Sequence, residues 1–225
     1  MSKRKQPQPT SQSSQAGFTI IESLLAIIVV TILMVGLAPV IVLSVATRVQ
    51  AKRVERGTDA ARAYIDGVRS GTIPAPALKP NTTSFKNFPA PSSTLPSCPT
   101  GNSYCTGSQS LYCIDGGGSI GCTSGPGGFN DLIVQAFRNG DAAKPENGYK
   151  LGIRVYRADA FADAGTLKTM GTDQAKAQTF SGGLGDRKAP QFETTTEIAG
   201  SGTSLKALCD RIKLTNTGNA NSNCS

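Results

Sequence analysis

Side chains that commonly do chemistry are sparse in this 225-residue chain, and histidine is missing altogether. That excludes Ser-His-Asp and Cys-His nucleophile pairs and every zinc site built on imidazole. Six cysteines remain: Cys98, Cys105, Cys113 and Cys122 close together, then Cys209 and Cys224 near the C-terminus. The first four are separated by six, seven and eight residues with no C-x-x-C, which is not zinc spacing. An even number of cysteines around a thin core reads instead as a disulfide framework, with the pairing open and reduced thiols as the alternative. The acids Asp115, Asp131, Asp141, Glu146, Asp159 and Asp163 are scattered, with neither calcium-loop spacing nor a paired-carboxylate signature. Asp115, just before Gly116, Gly117 and Gly118, reads as a turn. No metal, cofactor or catalytic residue is expected, and an enzyme is the poorest fit among the function classes.

Glu22 differs from those acids because of its surroundings. Residues 18–47 contain 22 hydrophobic side chains in 30, and residues 23–47 carry no charge. As a helix those 25 residues span roughly 37 Å, enough for a hydrocarbon core of about 30 Å. A carboxylate at the edge of a membrane helix costs several kcal/mol, which makes it a candidate functional group. The plainer alternative is an acid in the first helical turn, favoured by the helix dipole by roughly 0.3–1 kcal/mol and able to snorkel to the interface.

Residues 1–17 are polar, with Lys3, Arg4 and Lys5 as their only charges. A secretory signal would place its cleavage site after the apolar stretch; here the small residue, Gly17, precedes it. The junction A-G-F-T-I-I-E-S-L-L resembles the class III signal of type IV prepilins and pseudopilins, through Gly17, Phe18, Glu22 four residues on, and Pro39 within the apolar helix. The resemblance implies that a prepilin peptidase cuts between Gly17 and Phe18 and methylates the new amine of Phe18. It also implies that Glu22 pairs with the terminal ammonium of a neighbouring subunit during assembly on an inner-membrane platform. Pro39 removes a backbone donor and clashes with the Val35 carbonyl, so a kink is expected around Gly36 and Pro39.

The helix should continue beyond the membrane. Val45, Val49, Ala60, Ala61, Tyr64, Ile65 and Val68 recur at helical spacing, and Gly71 followed by Pro74 is a stop. Pairs of Lys52 and Arg56 with Glu55 and Asp59, and of Arg62 with Asp66, are within helical reach. Arg48, Lys52, Arg53, Arg56 and Arg62 outnumber the leader's three positive charges, so the positive-inside rule alone would put the C-terminal side in the cytoplasm. The cysteines and the prepilin-like signal favour the opposite: leader inside, head outside.

Residues 71–100 hold seven of the 13 prolines and read as an irregular surface connection. Strands are expected at 131–139 and 149–161, and more weakly near 178–181, 192–199 and 204–214. Proximity favours a Cys209–Cys224 disulfide, which would resemble the closed C-terminal loop of many pilins. The expected fold is therefore α+β and pilin-like: one long N-terminal helix whose lower half spans the membrane, packed on a small antiparallel sheet with disulfide-stapled loops. The expected divisions are a cleaved leader 1–17, a transmembrane half 18–47, an extracytoplasmic half 48–70, a Pro/Gly/Cys-rich loop region 71–130, and a sheet head with C-terminal Cys loop 131–225.

Residues 17–71 are also similar to cyanobacterial pseudopilins linked to hormogonium polysaccharide secretion. That similarity implies a subunit of a type IV pilus or type II secretion-like machine supporting polysaccharide export and gliding motility. Net charge is +8, or +5 once the leader is gone. The alternative reading is a minor pilin or anchored head binding an anionic partner: membrane lipid, acidic polysaccharide or DNA. Nucleic acid is the weakest of these, since no stacking set accompanies the basic residues.

Overall fold

The computed structural model describes residues 19–79, 85–117, 120–140, 145–175, 185–200, 202–206 and 209. Two compact units emerge, Met1–Ser44 and Val45–Ser225. A single helix, α1 (Ile20–Arg69), enters both. It ends where the sequence supplies a left-handed glycine: Gly71 has φ of 76° and donates its N–H to the Val68 carbonyl at 3.2 Å. The N–H of Ile73 closes back on the Gly67 carbonyl at 2.9 Å.

In the second unit five strands form one antiparallel sheet in chain order: β1 (Ser103–Tyr104), β2 (Leu111–Ile114), β3 (Leu132–Gly140), β4 (Tyr149–Arg157) and β5 (Phe192–Ile198). The β3–β4 pair is fully in register from Leu132 opposite Arg157 to Gly140 opposite Tyr149. Where β2 runs out, the segment around Leu78 continues alongside β3 in parallel, the Lys79 N–H donating to the Arg138 carbonyl at 2.9 Å and the Arg138 N–H to the Ala77 carbonyl at 3.1 Å.

Alternation along these strands sends residues to two different layers. Val134, Ala136, Leu151, Ile153 and Val155 pack with Ala60, Ala61, Tyr64 and Val68 of α1. Ile133 and Tyr156 point the other way, into a cluster with the four bridging cysteines, Phe161 and Leu167. Burial of side chains such as Leu151 and Ile153 contributes about 1.5–3 kcal/mol each, so a sheet covered on both faces draws on two cores.

Several expectations hold, and others need correction. The strands expected at 131–139 and 192–199 are present as β3 and β5, and that expected at 149–161 is present as β4 only to Arg157, where Ala158–Phe161 turn into a short 3-10 helix. The Pro/Gly/Cys-rich segment before residue 131 also contributes β1 and β2, which the sequence reading does not anticipate, and its cysteines pack with Ile133 and Tyr156. Among the described residues Arg62 of α1 pairs with Asp59 at 3.8 Å, while the expected Arg62–Asp66 pair and the Lys52, Glu55 and Arg56 pairs are not formed there. Exposed pairs of this kind gain too little to hold two long side chains in place. The 178–181 expectation lies outside the described residues. Of the 204–214 segment, Leu205, Lys206 and Cys209 are helical and the other described residue, Ser204, is not in a strand.

Candidate assembly segment

Thr19 begins the segment as an N-cap. Its Oγ1 accepts the backbone N–H of Glu22 at 3.3 Å, and its carbonyl accepts the N–H of Ser23 at 3.1 Å. Thr19 and Glu22 have capping-box spacing, a signal present in the sequence that the reading above does not use. Glu22 therefore stands in the first turn, exposed, the one ionisable side chain between residues 19 and 47. Polar side chains deeper in the helix turn inward to the backbone: Ser23 Oγ donates to the Ile20 carbonyl at 2.8 Å and Thr31 Oγ1 to that of Ile27 at 2.7 Å. Neither leaves a hydroxyl unpaired in an apolar medium.

Large apolar side chains of this unit are exposed on every face, from 38% at Leu43 to 85% at Ile20. The helix is long and apolar enough to cross a membrane, and its most apolar window buries nothing within the chain. A soluble core helix would be mostly buried. Pro39 lies inside an unbroken helical run, and a Cβ built on Gly36 meets nothing within 4 Å. Gly17 and Phe18, the expected cleavage and methylation residues, lie outside the described residues.

Beyond Val45 the same helix is gripped by the head. Gln50 is buried against Gly185, and Gly57 lies so close to Gln191 that a Cβ there would stand 2.7 Å from the Gln191 Cβ. Arg56 donates to Asn130 Oδ1 at 2.9 Å. Near the top, Tyr64 of α1 and Tyr112 of β2 meet Tyr104 of the short β1 strand. Tyr104 donates to the Pro74 carbonyl at 2.8 Å, so the 2.6 Å bond between the two hydroxyls has Tyr64 as donor. The Tyr112 ring meets those of Tyr64 and Tyr104 edge-on. Burial pushes the Tyr64 hydroxyl well above its usual range and moves Tyr104 and Tyr149 up to about 12.

Cysteine pairing follows nearest neighbours: Cys98 with Cys105 and Cys113 with Cys122. Cys209 is disulfide-bonded as well, while Cys224 lies outside the described residues. Two charged residues hold the covering loops, and the sequence reading misses both roles. The buried Asp131 carboxylate accepts N–H groups from Gly116 at 3.1 Å and Thr123 at 3.3 Å, across the Cys113–Cys122 loop. Arg154 has no exposed side-chain surface; it donates to the carbonyls of Phe85 at 3.0 Å and Phe88 at 2.6 Å and pairs with Glu193 at 3.0 Å. Arg154 is one of the alternating residues of β4, so its inward face was legible, but the loop that surrounds it was not. Asp115 forms the expected turn, accepting the Gly117 N–H at 2.7 Å. No cluster of three or more potential metal ligands occurs among the described residues.

The sequence comparison matches residues 12–38 to the family model described as the prokaryotic N-terminal methylation motif. Comparisons with curated proteins and with solved structures return no match. The matched segment contains the Gly17–Phe18 junction and Glu22, and it ends one residue before Pro39. With the long apolar helix, the antiparallel sheet and the disulfides, it fits a type IV pilin- or pseudopilin-like protein whose N-terminal helix is able to span a membrane.

Proposed function

We propose that this chain is a pseudopilin or minor pilin, a non-catalytic subunit processed by prepilin peptidase and assembled with other subunits into a type IV pilus or type II secretion-like pseudopilus. The observation that carries this reading is the methylation motif at residues 12–38, with its one acid, Glu22, in the capped first turn of an otherwise uncharged span. In this reading the leader 1–17 is removed at Gly17, the Phe18 amine is methylated, and 18–47 is the membrane half of the helix. Residues 48–70 and the loop and sheet segments 71–130 and 131–225 lie outside the cytoplasm, where disulfides persist. Gly36 and Pro39 form a point at which the helix can loosen.

An incoming subunit brings an ammonium into a low-dielectric layer, and an acid already there offsets its desolvation. Glu22 is that acid. The most specific form of the proposal, a pseudopilus supporting polysaccharide secretion and gliding, rests on the sequence resemblance of residues 17–71 alone, with no curated relative beside it.

Glu22→Ala tests the assembly role. Membrane insertion and head disulfides should match the parent protein, while incorporation into sheared surface filaments falls at least tenfold. Incorporation at the parental level would contradict the assignment.

A further inference from the structure

We propose that Arg48 and Lys52, with Arg56 one turn further, dock the headgroups of anionic phospholipid where α1 leaves the bilayer. The proposal rests on reading residues 18–47 as a membrane span. Arg48 is the first charge after the 25 uncharged residues, and Lys52 and Arg56 follow at four-residue steps, about 6 Å apart along the helix. All three are exposed, whereas Gln50, Gly57, Ala61 and Tyr64 occupy the opposite face and are buried in the head. Arg48 and Lys52 therefore face away from the head, and Arg56 stands at its edge, held by Asn130.

Its charges are not already neutralised. Among the described residues neither Arg48 nor Lys52 has a carboxylate partner, and Arg56 is engaged by the neutral Asn130 amide. Half-buried Arg53, on the same two turns, donates to the Gln50 amide oxygen at 3.4 Å. The first acid beyond Glu22 is Glu55, roughly 10 Å past Arg48 and three residues from Lys52, with which it forms no ion pair. Asp59, the next, is paired with Arg62.

Two features select lipid over nucleic acid. Val45 and Val49, 57% and 37% exposed, lie beside the basic stripe, giving it the apolar and cationic mixture of a bilayer interface. Residues 19–63 contain no aromatic side chain on which a base could stack. Cleavage of the leader would remove Lys3, Arg4 and Lys5, leaving Glu22 and the terminal amine at the other end of the span. Any preference of the mature protein for anionic lipid then belongs to the Arg48 end.

The test uses the full mature chain in phosphatidylcholine vesicles containing about one-fifth phosphatidylglycerol, with spin-labelled forms of each lipid reporting motionally restricted contacts. A basic residue near an anionic surface contributes about fivefold to association. The expected result is at least a fivefold preference for phosphatidylglycerol over phosphatidylcholine at low salt. It should weaken at about 0.5 M salt, where screening is strong, and approach unity in R48Q/K52Q. Both side chains are exposed and unpaired, so the variant should retain its disulfides and its co-flotation with vesicles. Equal association of both lipids with the parent chain, or an unchanged preference in the variant, would overturn the proposal. So would loss of short-duplex DNA binding in the variant with the lipid preference intact. A mature chain that does not float with vesicles overturns the membrane-span reading, and this proposal with it.

Discussion

Individual side chains in the head settle their polarity locally. The Arg154 guanidinium is tolerated in the interior because Phe85, Phe88 and Pro89 turn carbonyls toward it and Glu193 supplies a carboxylate. Tyr64 and Tyr104 solve the same problem with a relay of hydroxyls ending on the Pro74 carbonyl. That relay has a pH consequence. A free tyrosine ionises near pH 10, whereas burial raises the pKa of the folded Tyr64 and places Tyr104 and Tyr149 at about 12. Above pH 10 the unfolded chain loses protons that the folded chain retains, so stability is full below 10 and falls as pH rises toward 12. Urea unfolding of the detergent-solubilised chain should show its midpoint dropping across that window, less steeply in Tyr64→Phe. A midpoint constant to pH 12 would contradict the burial of this cluster.

At the level of elements, glycine placement separates the two halves of α1. An alanine in a helix gains up to about 1 kcal/mol over glycine. Where the site is already filled, overpacking costs roughly 1–3 kcal/mol. Gly57 is filled: the new Cβ would lie 2.7 Å from the Gln191 Cβ, an atom too near its backbone to swing away. Gly57→Ala should therefore lower head stability by about 1–2 kcal/mol, whereas Gly36→Ala, with nothing within 4 Å, should leave the head unchanged. Paired denaturant midpoints check this, and equal midpoints would refute the docking of α1 on residues 185–191. The same contrast explains what was legible in sequence. Alternation in Y-K-L-G-I-R-V-Y and the Gly71 stop are local signals, and both are realised. β1 and β2, two and four residues long among turns, are too short to carry a period, and their pairing depends on contacts distant in sequence. The helix-surface ion pairs were the opposite case: reachable by spacing and mostly unmade, because solvent offers each charge as much. Asp131 and Arg154 act on loops whose approach no local pattern encodes.

Across the whole molecule the two units solve opposite solvent problems. Residues 45–209 bury a two-sided sheet stapled by Cys98–Cys105 and Cys113–Cys122, while the preceding helical half keeps its apolar surface exposed on all sides. Such a chain needs a membrane or other copies of similar helices to cover that surface, and the methylation motif points to both in succession. The claim on which this rests is the processing step. Mass spectrometry of the N-terminal peptide from the protein purified from its own membranes reads it directly. The expected species is a chain beginning at Phe18 with one methyl group on its amine and the apolar helix retained. A chain still beginning at Met1, or one cut beyond Thr47 with the helix removed, would contradict it.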